Sequence, residues 1–197
     1  MRFHLGLDTL LSPPSKVKLL RVLLRSSRRE FTGRELSRAS GVTGPALSRS
    51  LRDLEETGIV RAKVVGRAQV WSLSPSHVWT SRLRKLFEEE SSSREELCRF
   101  LGGRVPWGLV TRAVLFGSVA RGEDREGSDI DFYVEARSDA AVDEVSSRLG
   151  GLSLEVARRY GNTLTSLVYG PSQLRRPPNP ALLSEIERDG VLVRRAA

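Results

Sequence analysis

The sequence predicts an α+β protein of two domains: a helical N-terminal domain that ends in a β-hairpin, and a C-terminal α/β domain. Apolar residues recur at helical spacing over residues 15–58, and the pattern changes to strand-like alternation over 59–73. After residue 92, apolar strand-like runs alternate with helical segments. The basic excess also lies on one side of this division.

Charge separates the two domains clearly. Residues 1–75 hold 14 Lys and Arg against 6 Asp and Glu, a net charge of +8, while residues 76–197 hold 18 of each class. The formal net charge of the chain, +8, therefore belongs to its first 75 residues. Such asymmetry favours a polyanion-binding module joined to a neutral domain. A basic surface that serves only solubility is the alternative.

Composition narrows the class of protein. No stretch approaches the ~20 consecutive apolar residues of a membrane span, and the first residues carry an acid and two prolines rather than the apolar core of a signal peptide. One cysteine excludes an internal disulfide and offers no metal-ligand spacing. We therefore expect a soluble, cytoplasmic protein without membrane partners.

The N-terminal domain begins with a helix over residues 15–25, for which Ser15 is the candidate cap. Its apolar side chains lie near one face: Val17, Leu19, Leu20, Val22, Leu23 and Leu24. Phe31 and Thr32 form a short extended entry to the second helix. Thr32 and Glu35 fit the capping-box pattern, and Gly41 suits the positive φ of a helix end.

A third helix runs from its predicted cap, Thr43, to Gly58. The side chains predicted to be buried are Ala46, Leu47, Leu51 and Leu54. Residues 59–65 and 68–73 then alternate as two strands around a turn at 66–67.

Three helices followed by a hairpin make a winged helix-turn-helix. Over residues 8–74 the chain resembles the winged-helix regulators of the MarR and ArsR type, most specifically in GVTGPALSRSLRDLEETGIV. The resemblance implies that the third helix enters the major groove of double-stranded DNA and that the hairpin touches the neighbouring backbone. The candidate DNA-binding residues are Thr43, Ser48, Arg49 and Arg52 on the helix, and Arg61, Lys63, Arg67 and Gln69 on the hairpin. Protein docking or dimerisation is the alternative role for such a module.

We divide the chain into a winged-helix domain, residues 1–75, a helical connector, 76–91, and a C-terminal domain, 92–197. In the connector we expect four apolar side chains to face inward: Val78, Leu83, Leu86 and Phe87.

The chemistry of the C-terminal domain lies in LFGSVARGEDREGSDIDFYV, residues 115–134. A strand over 109–116 meets a small corner, Gly117 and Ser118, that lets a polyphosphate approach the backbone. A short helix and a loop lead to a strand over 129–135, in which Asp129 and Asp131 share one face. Paired carboxylates repel each other unless a cation lies between them, and oxygen ligands suit Mg²⁺ that carries a nucleoside triphosphate. Arg121 either neutralises phosphate or forms a structural ion pair with Asp124 or Asp129.

The combined pattern resembles the nucleotidyltransferase superfamily of DNA polymerase β, and GSVARG…SDIDFYV is most similar to its minimal branch. The resemblance covers residues 92–190 and implies an α/β domain with a mixed sheet. It also implies transfer of a nucleoside monophosphate from an NTP to a hydroxyl. Gly117 and Ser118 would then hold the phosphates, and Asp129 and Asp131 would be the catalytic ligands of Mg²⁺ or Mn²⁺.

At one position the sequence departs from the pattern of this superfamily. Members that carry out transfer usually have a third carboxylate on a later strand, near Thr165, Ser166 or Leu167 here, yet residues 161–174 contain no Asp or Glu.

Three hypotheses follow for the whole chain, with a homodimer expected for reading two half-sites. The first is a DNA-binding transcriptional regulator whose second domain binds NTP and Mg²⁺ with little or no turnover. The second is an active nucleotidyltransferase that modifies a protein, a small molecule or RNA, with the winged helix for targeting or autoregulation. The third is a regulator in which the second domain is a dimerisation scaffold.

Overall fold

The computed structural model describes residues 6–26 and 29–194, and the chain divides into two compact units, residues 1–91 and 92–197. The first unit contains α1 (Gly6–Leu11), α2 (Pro14–Arg25), β1 (Phe31–Thr32), α3 (Gly33–Ser40), α4 (Gly44–Glu56), β2 (Val60–Val65), β3 (Ala68–Leu73) and α5 (Val78–Ser91). Its three strands form an antiparallel sheet in the order β1-β3-β2. The predicted three helices and hairpin are therefore confirmed.

Helix α2 supplies the centre of the first core. Four of its leucines are buried: Leu19, Leu20, Leu23 and Leu24. The helix begins at Pro14 and its N-cap is Pro13, so the prediction that Ser15 caps it was wrong. Proline is favoured in the first turn because its φ is already helical and its missing N–H has no partner there. The Ser15 hydroxyl instead lies 2.7 Å from the Ser50 hydroxyl of α4.

The start of α3 is the predicted capping box. The Thr32 hydroxyl accepts a hydrogen bond from the Glu35 N–H at 3.3 Å, and the Glu35 carboxylate accepts one from the Thr32 N–H at 2.8 Å. At the other end, Gly41 has the predicted left-handed conformation, φ +69°, and its N–H donates to the Ser37 carbonyl at 2.9 Å. These local bonds set where α3 stops and α4 can begin.

Helix α4 has Thr43 at its N-cap, but the threonine side chain makes no capping hydrogen bond. Pro45 occupies the second helical position and has no N–H, which removes one of the two donors a cap normally uses. Ala46 was predicted to be buried and is exposed. Val42, which precedes the helix, and Ser50 within it are buried instead.

Helix α5, which covers most of the predicted connector, packs against the core of the first unit. Leu83 is buried in that core, and an ion pair joins Arg21 of α2 to Glu90 of α5 at 2.6 Å. Val78 and Leu86 were predicted to face inward, and each is 51 % exposed. The buried face of α5 runs through Thr80, Leu83 and the partly buried Phe87, so Leu86 lies at its edge and Val78 lies on the opposite side of the helix.

The second unit is built around a mixed sheet, as predicted. Its elements are α6 (Ser93–Gly102), β4 (Val110–Phe116), α7 (Gly117–Arg121), β5 (Ile130–Ala136), a 3₁₀ turn (Asp139–Ala141), α8 (Val142–Tyr160), β6 (Leu164–Tyr169), α9 (Pro171–Arg175), α10 (Pro180–Asp189) and β7 (Val191–Leu192). The strand order is β6-β5-β4-β7, in which β5 and β6 are parallel and the other pairs are antiparallel.

Both faces of this sheet carry buried side chains. Phe132 belongs to the larger core, which includes Leu149 of α8, whereas Tyr133 belongs to a smaller core with Ile186 of α10. Successive residues of a strand point to opposite faces. Asp131 therefore lies on the same face as Tyr133, the face that α10 covers.

Within the ranges 6–26 and 29–194, no helix is long and apolar enough to cross a membrane.

Lys16 provides a test of what holds α4 in place. Its side chain is nearly buried, its ammonium donates to the Thr9 carbonyl at 3.0 Å, and it forms an ion pair with Asp53 of α4 at 2.9 Å. Lys16→Met keeps the aliphatic length but leaves both oxygens without this donor. We expect the free energy of unfolding of the first unit to fall by about 1–3 kcal/mol, measured by urea denaturation with fluorescence of the buried Trp71 as the signal.

Lys18→Met is the matched control, because Lys18 is exposed on the same helix. We expect it to change stability by less than about 0.5 kcal/mol. Equal losses in the two variants would contradict the assigned role of Lys16.

Candidate functional sites

The acidic corner forms where β4 ends and β5 begins. Asp131 is the second residue of β5 and pairs in register with Phe116, the last residue of β4. Gly117 and Ser118 then open α7 directly beside it. The predicted strand was one residue too long at its start, because Asp129 lies just before β5 and is exposed. Asp131 therefore lies against Gly117, and the charge of Asp129 acts on Asp131.

Gly117 is required at this corner for two reasons. Its φ is +72°, a conformation that other residues rarely adopt. A Cβ built at this position would also collide with the carboxylate of Asp131. A glycine here therefore allows the chain to turn from β4 into α7 beside Asp131 without strain or collision.

The loop between α7 and Asp129 is tied to the start of β6. The Ser128 hydroxyl accepts from the Arg125 N–H at 2.9 Å, and the Ser128 carbonyl accepts from the Asn162 amide at 2.8 Å. The Ile130 N–H donates to the Thr163 carbonyl at 2.8 Å. These bonds position the backbone on both sides of Asp129.

Arg121, at the end of α7, is engaged by two carboxylates. Its Nε donates to Glu123 at 2.8 Å and its Nη1 donates to Glu185 of α10 at 2.8 Å. The sequence had offered Asp124 or Asp129 as ion-pair partners, and the structure gives Glu123 and Glu185 in their place. The guanidinium thus links α7 to α10 across the acidic corner.

The pKa of Asp131 reflects both its burial and the charges around it. Burial raises the pKa of Asp131 above its usual value, the charges of Asp129 and Glu185 raise it further, and Arg121 opposes them. A bound cation would relieve the same repulsion.

The position opposite Asp131 on the neighbouring strand carries no charge. In the parallel pair β5–β6, Asp131 is in register with Thr165, and Tyr133 is in register with Leu167. Thr165 is exposed on the face that Asp131 occupies, and Leu167 packs against the smaller core. Among the residues that the structure describes, no group of three or more His, Cys, Asp or Glu side chains is placed to hold a metal ion.

Sequence reasoning did not identify Glu185. It lies on α10, next to the buried Ile186, far along the chain from the motif that it contacts. Its neighbours identify an amphipathic helix, but no spacing in the sequence relates that helix to α7. Only the packing of α10 onto the sheet brings Glu185 to Arg121.

In the first unit, all four candidate DNA-binding residues on α4 are exposed: Thr43, Ser48, Arg49 and Arg52. A cavity of about 540 Å³ lies between α4 and the hairpin. Ser48, Arg52 and Gln69 line it together with Gly33, Leu47, Leu51, Glu55 and Trp71. The structure therefore brings part of α4 and Gln69 to one surface.

The hairpin candidates divide between its two faces. Gln69 pairs with Val64, on the face that also carries the buried Trp71. Arg61 and Lys63 alternate with that set and point to the opposite face. Arg67 is exposed in the turn between the strands.

Comparison with known proteins matches a different family model to each unit. Residues 13–62 match the family model of the bacterial regulatory proteins of the arsR family, and residues 92–162 match the model of the nucleotidyltransferase domain. No curated protein has significant similarity to the chain.

Several solved structures are similar to part of the chain. The transcriptional repressor BigR from Xylella fastidiosa is 29 % identical, with 41 % of this chain and 76 % of that chain covered and a TM-score of 0.35. The antimony-specific transcriptional repressor AntR is 23 % identical, with 46 % and 78 % covered and a TM-score of 0.38. A mutant of ZitR from Lactococcus lactis in complex with DNA is 18 % identical, with 41 % and 57 % covered and a TM-score of 0.35.

Proposed function

We propose that the chain, which joins an ArsR-type helix-turn-helix segment to a nucleotidyltransferase domain, is a DNA-binding transcriptional regulator. In this proposal the second domain binds a nucleoside triphosphate with Mg²⁺ or Mn²⁺. It transfers the nucleoside monophosphate slowly or not at all. The observation that carries this proposal is the pairing of Asp131 with Thr165. A carboxylate pair lies beside the Gly-Ser corner, but the neighbouring strand β6 supplies no third acid.

The DNA-binding half rests on exposure and charge. Arg49 and Arg52 extend from the exposed side of α4, where a guanidinium can hold a guanine edge with two hydrogen bonds. Thr43 and Ser48 add short donors on the same helix. The hairpin supplies exposed cations for backbone phosphates: Arg61, Lys63 and Arg67. The concentration of the net charge in this unit supports the assignment.

The nucleotide-binding half rests on the donor set at the acidic corner. Asp129 and Asp131 supply the hard oxygen ligands that a divalent cation prefers, and the negative potential at Asp131 favours one. A bound cation would neutralise phosphate charge and so attach the nucleotide to the corner. Gly117 and Ser118 carry no large side chain, so phosphates would meet the backbone of the corner directly, and Arg121 is the cation that the motif brings to them.

Weak turnover is proposed because activation of an attacking hydroxyl needs charge where Thr165 lies. A carboxylate at this position would hold a second cation, and that cation would activate the attacking hydroxyl oxygen bound to it. A neutral threonine hydroxyl cannot replace the carboxylate in this role. The two remaining aspartates support one cation with its nucleotide.

An active nucleotidyltransferase is the second candidate. It is favoured by Glu185, an additional carboxylate whose charge acts on Asp131 although it comes from α10 rather than from β6. In that case the winged helix would direct the enzyme to its target or repress its own gene.

The DNA-binding proposal is tested by Arg49→Ala. With a duplex selected by the wild-type protein from a random pool, we expect the affinity to fall by about 1–3 kcal/mol, the value of one good base contact. Lys63→Ala should weaken binding to all sequences alike and reduce the slope of log affinity against log salt by about one. Fluorescence anisotropy at several salt concentrations measures both effects.

Arg158→Ala is the control, because Arg158 is an exposed arginine of the second unit. Groove binding by α4 is ruled out if DNA affinity is independent of salt, or if Arg158→Ala costs as much as Arg49→Ala.

The nucleotide proposal is tested with ATP, GTP, CTP and UTP in Mg²⁺ or Mn²⁺. We expect saturable binding of at least one nucleotide by calorimetry, with pyrophosphate release at background level. Asp131→Asn removes a proposed ligand of the cation and should weaken binding at least about tenfold, whereas Asp143→Asn, an exposed carboxylate on α8, should leave it unchanged.

Pyrophosphate release that disappears in Asp129→Asn and Asp131→Asn would establish the active transferase instead. Absence of any nucleotide binding would favour the second domain as a dimerisation scaffold.

We further propose that the protein is a homodimer that reads two DNA half-sites, with α5 at the interface. Val78 and Leu86 are two turns apart on one side of α5, and each is 51 % exposed. Apolar side chains exposed in line on a helix favour a second copy of the chain as partner.

Leu86→Glu is therefore expected to convert the dimer to a monomer in light scattering coupled to gel filtration. Val64→Glu is the control, since Val64 is 72 % exposed at the end of the hairpin. A wild-type monomer, or equal masses for wild type and Leu86→Glu, would refute the α5 interface.

A further inference from the structure

The guanidinium of Arg121 is already paired at the corner where phosphates would bind. Glu123 contacts its Nε and Glu185 contacts its Nη1, both at 2.8 Å. Arg121 is the cation that GSVARG places beside Gly117 and Ser118, so its pairing decides how much positive charge an incoming anion meets.

The side chains at this corner carry a negative net charge. Four carboxylates, those of Glu123, Asp129, Asp131 and Glu185, stand against the one guanidinium of Arg121, a net charge of −3 when all are ionised. Like charges repel one another, more strongly where they are partly buried, and salt weakens the repulsion. A free triphosphate, which is itself multiply negative, is therefore disfavoured.

We propose that Glu185 makes nucleotide binding at this corner dependent on a divalent cation. It does so in two ways: it neutralises Arg121, and it adds its own negative charge next to Asp131. The inference rests on the proposed nucleotide-binding function and deepens it, because Glu185 acts as a positioning residue through Arg121 rather than as a ligand of the phosphates.

Glu185 is better placed for this role than Glu123. It projects from α10, which is anchored by Ile186 in the smaller core, and its side chain is 38 % exposed. Glu123 lies in the loop after α7 and is 66 % exposed, so solvent screens its charge more strongly. The charge of Glu185 also reaches Asp131, where that of Asp129 already acts.

A consequence is selectivity between kinds of phosphate. A nucleotide that arrives with its cation brings the positive charge that the corner lacks. Free nucleotides, inorganic polyphosphates and the phosphates of DNA do not bring a tightly bound cation in this geometry, and the corner repels them. The second unit would then ignore the polyanion that the first unit binds.

The test compares Glu185→Gln with Glu187→Gln in the full chain. Glu187 lies on the same helix and is likewise the partner of an arginine, Arg112, so it controls for the loss of an acid from α10. ATP binding is measured by calorimetry and tripolyphosphate binding by phosphorus NMR, both in excess EDTA. Binding of Mn²⁺ alone is measured by electron paramagnetic resonance.

For the wild type we expect no measurable ATP binding in EDTA at millimolar concentrations and clear binding with Mg²⁺. Glu185→Gln should gain ATP and tripolyphosphate binding in EDTA by about tenfold or more, most strongly at low salt. The same variant should bind Mn²⁺ alone several-fold more weakly. Glu187→Gln should show neither change, and adding Arg121→Gln to Glu185→Gln should remove the gain.

Each contrary result has a distinct meaning. If the wild type binds ATP equally well in EDTA and in Mg²⁺, or if Glu185→Gln behaves like Glu187→Gln, the role of Glu185 is refuted while nucleotide binding stands. If the wild type binds no nucleotide even with Mg²⁺, the proposed function of the domain and the role of Glu185 both fail.

Discussion

The carboxylate of Asp131 occupies the space in which any residue but glycine at position 117 would place its Cβ. The register of β4 with β5, which sets Phe116 opposite Asp131, imposes this close approach. The chain can leave β4 only through a positive φ, and that turn starts α7 in the direction that carries Arg121 across the acidic corner. The Gly-Ser corner and Asp131 therefore take their relative positions from one steric constraint, whereas Glu123 and Glu185 hold the guanidinium.

The packing of helices on both faces of the sheet also determines which charged side chains reach the acidic corner. The α10 face buries Tyr133 and Ile186, and with that burial it delivers Glu185 to Arg121. A helix that is needed for packing thus also sets the charge of the acidic corner. The candidate sites of the two units differ in charge: exposed arginines and lysines on α4 and the hairpin in the first, and carboxylates around Arg121 in the second.

Much of the fold could be predicted because its determinants lie within a few residues of one another. The capping box of Thr32 and Glu35 and the left-handed Gly41 involve only neighbouring backbone groups, and both were found as expected. The predictions that failed concerned side-chain partners. Ser15 bonds to Ser50 of another helix, and the exposure of Leu86 depends on which side of α5 meets α2. Helical periodicity specifies that a stripe exists, not which stripe a neighbour will cover.

In the candidate site, too, some features depend on residues close in sequence and others on distant partners. The spacing from Gly117 to Asp131 was sufficient to predict that the Gly-Ser corner and Asp131 lie together, since their meeting depends on two strands and the short segment between them. From the sequence, the position where the third carboxylate is expected could be placed only near Thr165, Ser166 or Leu167. The parallel register then set Thr165 opposite Asp131, because register is a long-range property of the sheet. The meeting of Arg121 with Glu185 likewise required the packed sheet, since nothing local links α7 to α10.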